Sequence, residues 1–312
     1  MQQRSERLLL TGASGFVGYG LLSDLGQQGY AVRAAVRRPL GVREEILIGD
    51  INADTTWSEA LRGIDCVIHL AGRAHVLNDS EENALSAYRE INSAGTRSLA
   101  AAAAEAGIRR FIFVSSIKVN GEVNSGQPFT ADDIPLPKDA YGISKLEAEQ
   151  SLWQIANQSG MEVCIIRPPL VYGPGVKGNF QRLVRLVRSG IPLPFGAVQN
   201  HRSLVSVYNL RDLIIRCITS EAASGKVFLV SDGIDMSIGG LISRLGAALG
   251  CPARLIPVPP GLLRMVFTLL GRKMEFERLC GSLQVDIEET CRLLNWHPPV
   301  SVDAGLQRTV SQ

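Results

Sequence analysis

Arg7-Leu8-Leu9-Leu10-Thr11-Gly12-Ala13-Ser14-Gly15-Phe16-Val17-Gly18 is the stretch on which the fold turns. A short apolar run of strand character passes into a G-x-x-G-x-x-G turn, and a helical pattern follows at once. Glycines in that position let the backbone come close to a pyrophosphate. The free N–H groups and the positive end of the following helix then stabilise its charge. The segment therefore predicts a βα unit that holds a dinucleotide over Gly12, Gly15, Phe16, Val17 and Gly18.

Outward from this turn, apolar β-rich runs at residues 7–11, 31–36, 45–49, 66–70, 111–115 and 162–167 alternate with helical patterns. Such alternation predicts right-handed βαβ units and an α/β fold, a Rossmann-type doubly wound parallel sheet. Two long helices are expected, at residues 80–106 and 140–158, stopped by Gly107 and Gly160. Both are partly apolar, so an exposed stripe on them is expected to pair two copies into a homodimer. After Arg167 the texture changes. Pro168-Pro169, Gly173-Pro174-Gly175 and Ile191-Pro192-Leu193-Pro194 break the alternation as cleft loops would, and a strand at 226–231 returns to the sheet. The division this predicts is a dinucleotide domain over 1–167 and 207–232, with a smaller, discontinuous C-terminal substrate domain over 168–206 and 233–312.

With 312 residues, 46% hydrophobic and 20% charged, the chain can bury a large core. A net charge of +2 without a block of like charge argues against nucleic acid as a partner. Its six cysteines form no C-x-x-C pair, and several sit in apolar runs, as buried thiols do in a reducing cytosol. No signal-peptide pattern opens the sequence, and no apolar run reaches the roughly 20 residues of a membrane span. A cytoplasmic protein is expected. The apolar segment 261–271, interrupted by Arg264, reads as a core or amphipathic helix, with a membrane-surface helix as the alternative. The histidines His69, His75, His201 and His297 lack ligand spacing, so no metal is expected.

Cofactor choice should be written at the end of the second strand. An acid there would bind a ribose 2′-hydroxyl, but Val36 is followed by Arg37-Arg38, whose guanidinium groups suit a 2′-phosphate. NADP(H) is therefore favoured over NAD(H). Asp50-Ile51 is placed to meet the adenine, and Leu70-Ala71-Gly72 to pass beside the ribose and pyrophosphate. Tyr141 and Lys145 lie four apart on the second long helix, on one face. A free tyrosine titrates near 10, so acid/base work at neutral pH asks for a shift of roughly three units, or about 4 kcal/mol. A neighbouring ammonium is expected to supply much of it.

The glycine turn, His69-Leu70-Ala71-Gly72, Val114-Ser115-Ser116 and the Tyr141/Lys145 helix occur together and in order. In this the chain resembles the extended short-chain dehydrogenases/reductases along essentially its whole length. Ser116-Ile117-Lys118-Val119-Asn120-Gly121-Glu122, Arg167-Pro168-Pro169-Leu170-Val171-Tyr172-Gly173-Pro174-Gly175 and His201-Arg202-Ser203-Leu204-Val205 resemble the nucleotide-sugar 4-epimerase-like group. The nearest likeness is to its bacterial surface-polysaccharide branch, which includes UDP-4-keto-6-deoxy-N-acetylhexosamine reductases. The resemblance implies that Ser116 hydrogen-bonds the reacting sugar oxygen, that Tyr141 is the acid/base, and that Lys145 also holds the nicotinamide ribose. It further implies that Asn92 supports the cofactor site and that the Pro168 backbone meets the nicotinamide carboxamide. On the substrate side it implies that Asn179, Arg202 and Arg278 contact the nucleotide diphosphate. Lys118 and Asn120 depart from the usual epimerase pattern and are expected to read the sugar. The expected function is reduction of a UDP-linked 4-keto sugar for O-antigen or other surface polysaccharide. The alternative is UDP-glucose or UDP-N-acetylglucosamine 4-epimerisation, and a catalytically silent dinucleotide sensor is the remote one.

Overall fold

The computed structural model describes residues 6–74, 81–124 and 126–311; Ser80 and His75 lie outside them. The first half runs β1 (Arg7–Thr11), α1 (Gly18–Gln27), β2 (Ala31–Val36), β3 (Glu45–Leu47), α2 (Ser58–Leu61), β4 (Cys66–His69) and α3 (Glu81–Tyr88). A π-helical segment, Arg89–Gly95, then leads into α4 (Thr96–Glu105), β5 (Arg110–Val114), α5 (Ala140–Ser159) and β6 (Glu162–Arg167). Next come β7 (Leu170–Tyr172), α6 (Gly178–Arg188), β8 (Leu204–Ser206), α7 (Val207–Thr219) and β9 (Lys226–Leu229). Helices α8 (Ile238–Ala248), α9 (Pro260–Leu269), α10 (Lys273–Cys280), α11 (Glu288–Leu294) and α12 (Val302–Val310) complete the order.

Seven strands form one parallel sheet in the order β3-β2-β1-β4-β5-β6-β9. Period-two alternation sends side chains to both faces, and both are covered. Leu8 and Leu10 pack with Leu21, Leu25, Leu210 and Leu213 on one side. Leu9 packs with Leu99, Phe111, Ala148 and Leu152 on the other. Burying one such leucine contributes about 1.5–3 kcal/mol, which explains an unbroken Leu8-Leu9-Leu10 run in a central strand. The chain order reverses beside β1, so the ends of β1 and β4 open a crevice there.

A third core gathers Tyr172, Phe180, Leu204, Leu241, Ile242, Leu245 and Leu306 beyond the strand ends. Strands β7 and β8 form a separate parallel pair. Tyr172 donates to Asp232 Oδ2 at 2.6 Å, and Asn209 donates to Asp232 Oδ1 at 2.7 Å and to the Val300 carbonyl at 2.8 Å. This buried network ties the C-terminal helices to the strand ends.

Two features depart from the sequence reading. The helix expected at 80–106 is broken by the π-helical segment. A side chain on Gly95 there would stand 2.5 Å from Ile51 Cγ2, so the close packing of this turn requires glycine. The exposed apolar stripe expected on the long helices is also missing: among the described residues, no large hydrophobic of α4 or α5 is exposed. Exposed large hydrophobics collect instead on α9 and the turn after it.

Candidate active site

The glycine turn is shaped by close approach. Gly12 has φ +73°, and a Cβ on it would lie 2.8 Å from the Ala71 nitrogen. A Cβ on Gly18 would lie 2.2 Å from the Gly12 carbonyl oxygen. No side chain caps the N-terminus of α1, whose ten residues begin directly at the turn. Bare amides at a helix N-terminus, beside a backbone with no side chains in the way, fit the pyrophosphate of a dinucleotide. Arg37 and Arg38 are exposed at the end of β2, and Arg37 is held by Asp50 at 3.1 Å. Ile51 belongs to the core packed against α4, which limits any adenine contact from its side chain.

His69 ties the crevice together. Thr96 Oγ1 donates to the Asn92 carbonyl at 2.6 Å, so it accepts from His69 Nε2 at 3.0 Å. The Ala71 amide donates to Thr11 Oγ1 at 3.2 Å, and Thr11 Oγ1 donates to His69 Nδ1 at 2.7 Å. The network thus assigns the proton to Nε2. Burial pushes the imidazole down to about 3, with the Lys145 charge acting in the same direction, so the ring is a neutral strut. Asn92 continues the network. Its Oδ1 accepts from the Arg73 amide at 2.8 Å, and its Nδ2 donates to the Arg73 carbonyl and to Ser144 Oγ, both at 3.0 Å.

Helix α5 starts at Asp139, whose Oδ1 accepts from the Gly142 amide at 2.8 Å. A Cβ on Gly142 would stand 2.8 Å from the Lys118 carbonyl, so glycine lets the helix start against the turn that follows Ser116. Ser116 caps one turn of 3₁₀ helix, Ile117–Val119, and its hydroxyl lies close enough to Tyr141 to oppose the rise in the phenol's pKa. Lys145 is buried, with Nζ 4.0 Å from the Phe113 ring centre. Its ammonium lies beneath Gly72, where an added Cβ would be 3.8 Å away. Ser116, Tyr141 and Lys145 therefore converge beside the Ala71–Gly72 turn.

The electrostatics correct the sequence expectation for the tyrosine. Burial pushes the Tyr141 phenol up to about 12, with the Asp139 charge and Tyr88 adding to the rise and the Ser116 hydroxyl opposing it. Burial pushes Lys145 down to about 7 against the pull of Glu149. Desolvation is the largest cause on both groups. Between about pH 7 and 10.4 the unfolded chain carries a Lys145 proton that the folded chain has lost, so this group makes stability rise with pH across that window. Lys145→Met is therefore expected to raise the unfolding midpoint of the cofactor-free protein at pH 6, with the gain gone by about pH 10.5. Thermal melts across that range check it.

The substrate-side residues divide. Lys118 does not project freely: its ammonium bonds the Asp139 carboxylate and lies 3.3 Å from Glu122. Asn120 is buried; it donates to the Thr130 carbonyl at 2.9 Å and accepts from Arg167 Nη1 at 3.0 Å, so it braces the loop rather than reading a sugar. Arg202 is half-buried, donates to the Gly281 carbonyl at 2.8 Å, and has its pKa lowered by desolvation. Arg278 is exposed and reaches Glu122 at 3.8 Å, which brings it to the Lys118 cluster. Asn179 is exposed in the first turn of α6. The carbonyl of buried Pro168 accepts from the Ile117 amide at 2.9 Å. Three participants escaped the motif reading: Asp139, and the buried Glu149–Arg167 pair. Glu149 lies at i+4 from Lys145, a spacing that could have flagged it.

Residues 8–231 match the NAD dependent epimerase/dehydratase family. The chain belongs to it. Members of this family are NAD-dependent enzymes, and over 97% of its length this one is 48% identical to a Vibrio cholerae UDP-glucose 4-epimerase, of which it covers 94%. It is 28% identical, over 98% of its length and 95% of the relative, to an Escherichia coli O157:H7 4-epimerase of N-acetyl-α-D-glucosaminyl-diphospho-ditrans,octacis-undecaprenol. The solved UDP-glucuronic acid 4-epimerase of Bacillus cereus, in complex with NAD, superposes with a TM-score of 0.77 at 22% identity, covering 97% of each chain, and so shares the fold.

Proposed function

We propose that this family member is a UDP-hexose 4-epimerase working with bound NAD, with Ser116, Tyr141 and Lys145 as its catalytic residues. The observation that carries the reading is the gathering of Ser116, Tyr141 and buried Lys145 beside the Ala71–Gly72 turn, in a chain 48% identical to a UDP-glucose 4-epimerase. The reduction of a 4-keto sugar expected from Arg37, Arg38 and Lys118 has less behind it, because Arg37 is engaged by Asp50 and Lys118 by Asp139 and Glu122.

Held along Gly12, Gly15, Phe16, Val17, Gly18 and the Leu70-Ala71-Gly72 turn, NAD would take the C4 hydride and later return it. Tyr141 accepts the O4 proton as C4 becomes a ketone, and gives it back to the same oxygen after the sugar has turned its other face. Ser116 donates to O4 and limits its movement. Charging Lys145 stabilises the phenolate that Tyr141 must become, and the same ammonium would hold the nicotinamide ribose. Asn92 keeps Gly72 and the following residue in register for that ribose. Arg202 would meet the diphosphate in this reading, with Arg278 and Asn179 as further candidates; a desolvated guanidinium gains most from such an anion.

Arg38 is the residue left to meet a 2′-phosphate, so Arg38→Ala is expected to weaken NADPH binding about tenfold and leave NADH unchanged. Fluorescence titration of the cofactor-free protein reads both. The function itself is tested by incubating the protein with UDP-glucose or UDP-N-acetylglucosamine. Interconversion of C4 epimers without net change in cofactor redox state is expected. Stoichiometric oxidation of NADPH by a UDP-4-keto-6-deoxy sugar, with no epimer interconversion, would replace this reading by the reductase.

A further inference from the structure

Helix α9 is apolar on two faces. Leu263 is buried, whereas Leu262, Met265, Val266 and Leu269 stand at i, i+3, i+4 and i+7, exposed by 48, 53, 42 and 79%. A helix apolar all round is normally covered on all sides. The exposure culminates at the turn into α10, where Leu269 and Leu270, exposed by 79 and 66%, precede Arg272 and Lys273. From Met236 to Met274 the sequence has no Asp or Glu and five cations, of which Arg244 in α8 is paired with Asp303, while Arg264, Arg272 and Lys273 belong to the α9–α10 hairpin. The α9–α10 hairpin thus ends in a leucine tip followed directly by two cations. The next acid along the sequence is Glu275, in a loose 4.0 Å pair with Arg272.

We propose that this tip docks on an anionic lipid bilayer, the leucines entering the headgroup–acyl boundary and Arg272 and Lys273 meeting acidic headgroups. Apolar side chains flanked by cations are the composition that holds interfacial helices, the cations adding electrostatic attraction to acidic headgroups. Among the described residues no helix is long and apolar enough to cross a membrane, so the contact is peripheral. A second copy fits the tip less well. Two-fold pairing sets the same patch against itself, and here it would bring Arg272 and Lys273 toward their own copies, with Glu275 already in a pair with Arg272. The contact lies close to the substrate side, because α10 runs only from Lys273 to Cys280 and then reaches Gly281, whose carbonyl holds Arg202.

The test is flotation of the full chain with vesicles of phosphatidylcholine alone and with about 30 mol% phosphatidylglycerol, at low and high salt. Wild type is expected to float with the anionic vesicles and to be released by salt. Leu269→Glu with Leu270→Glu should lose at least about tenfold in bound fraction, and Arg272→Gln with Lys273→Gln should lose the preference for the anionic lipid, both keeping wild-type turnover of soluble substrate. No flotation of wild type, or flotation that both double variants retain, overturns the proposal. So does a wild-type dimer in sedimentation velocity that the Leu269/Leu270 variant converts to monomer while neither binds vesicles.

Discussion

Tyr141→Phe is expected to lower kcat about a thousandfold while leaving the fold and cofactor binding intact. Positioned acid/base groups contribute roughly 10²–10⁴ in rate, and this phenol alone accepts and returns the O4 proton. The ring stays in place because its packing does not depend on the hydroxyl. Tyr88 meets it edge-on at 5.7 Å, and the substitution keeps that contact. Only the polar contact with Ser116 is lost, at a cost of about 1 kcal/mol. Because Ser116 and Tyr141 act on one oxygen, adding Ser116→Ala should cost far less in the phenylalanine background than in wild type. Single-turnover rates and cofactor titrations separate chemistry from binding. Retention of more than a tenth of wild-type turnover by the phenylalanine variant would remove Tyr141 from the mechanism.

The free protein keeps this tyrosine protonated and leaves the lysine near half-charged at neutral pH, with pKa values of about 12 and about 7. The pair-lowering effect expected from Tyr141-x-x-x-Lys145 is thus reserved for a site in which Lys145 is charged. Rising pH through about 7 discharges Lys145 and withdraws the charge that favours the phenolate. This couples the tyrosine's readiness to the protonation of its neighbour.

The sheet was legible because its signals are local. Strand periodicity, the glycine turn and the stop glycines each lie within a dozen residues, and β1, β2 and β6 fall at the residues read. Ser116, Tyr141 and Lys145 were legible because their spacing follows from element ends and one helix face. What escaped depends on distant partners. Lys118 reads as a free cation until α5 brings Asp139 beside it, 21 positions on. Arg37 reads as a phosphate ligand until the chain leaving β3 brings Asp50 within 3.1 Å. The π-helical break at Arg89–Gly95 has no pattern of its own; it follows from Gly95 packing on Ile51, a contact between two separate elements. The leucine tip was legible as apolar but not as exposed, since periodicity cannot say which of two apolar faces finds a core.

Glu149→Gln is expected to cost about 3–5 kcal/mol of stability, a large share of the roughly 5–15 kcal/mol a domain of this kind has. Glu149 Oε1 accepts from Ser115 Oγ at 2.5 Å and from Arg167 Nε at 3.0 Å, while Oε2 accepts from Arg167 Nη2 at 2.5 Å. The two side chains are 1% and 5% exposed, so removing the carboxylate leaves a desolvated guanidinium without its counter-charge. Glutamine also brings an NH₂ donor into a site that offers donors already. The consequence reaches the chemistry, because Glu149 opposes the burial that lowers Lys145; without its charge Lys145 titrates below about 7, and the alkaline limb of kcat/KM moves to lower pH. Urea unfolding and pH–rate profiles measure the two effects separately. Glu149→Asp, which keeps the charge, should hold the limb near its wild-type position even where packing suffers. Glu149→Met with Arg167→Met removes both charges and should recover most of the lost stability while leaving the limb displaced, which separates the cost of an unpaired charge from the support given to Lys145.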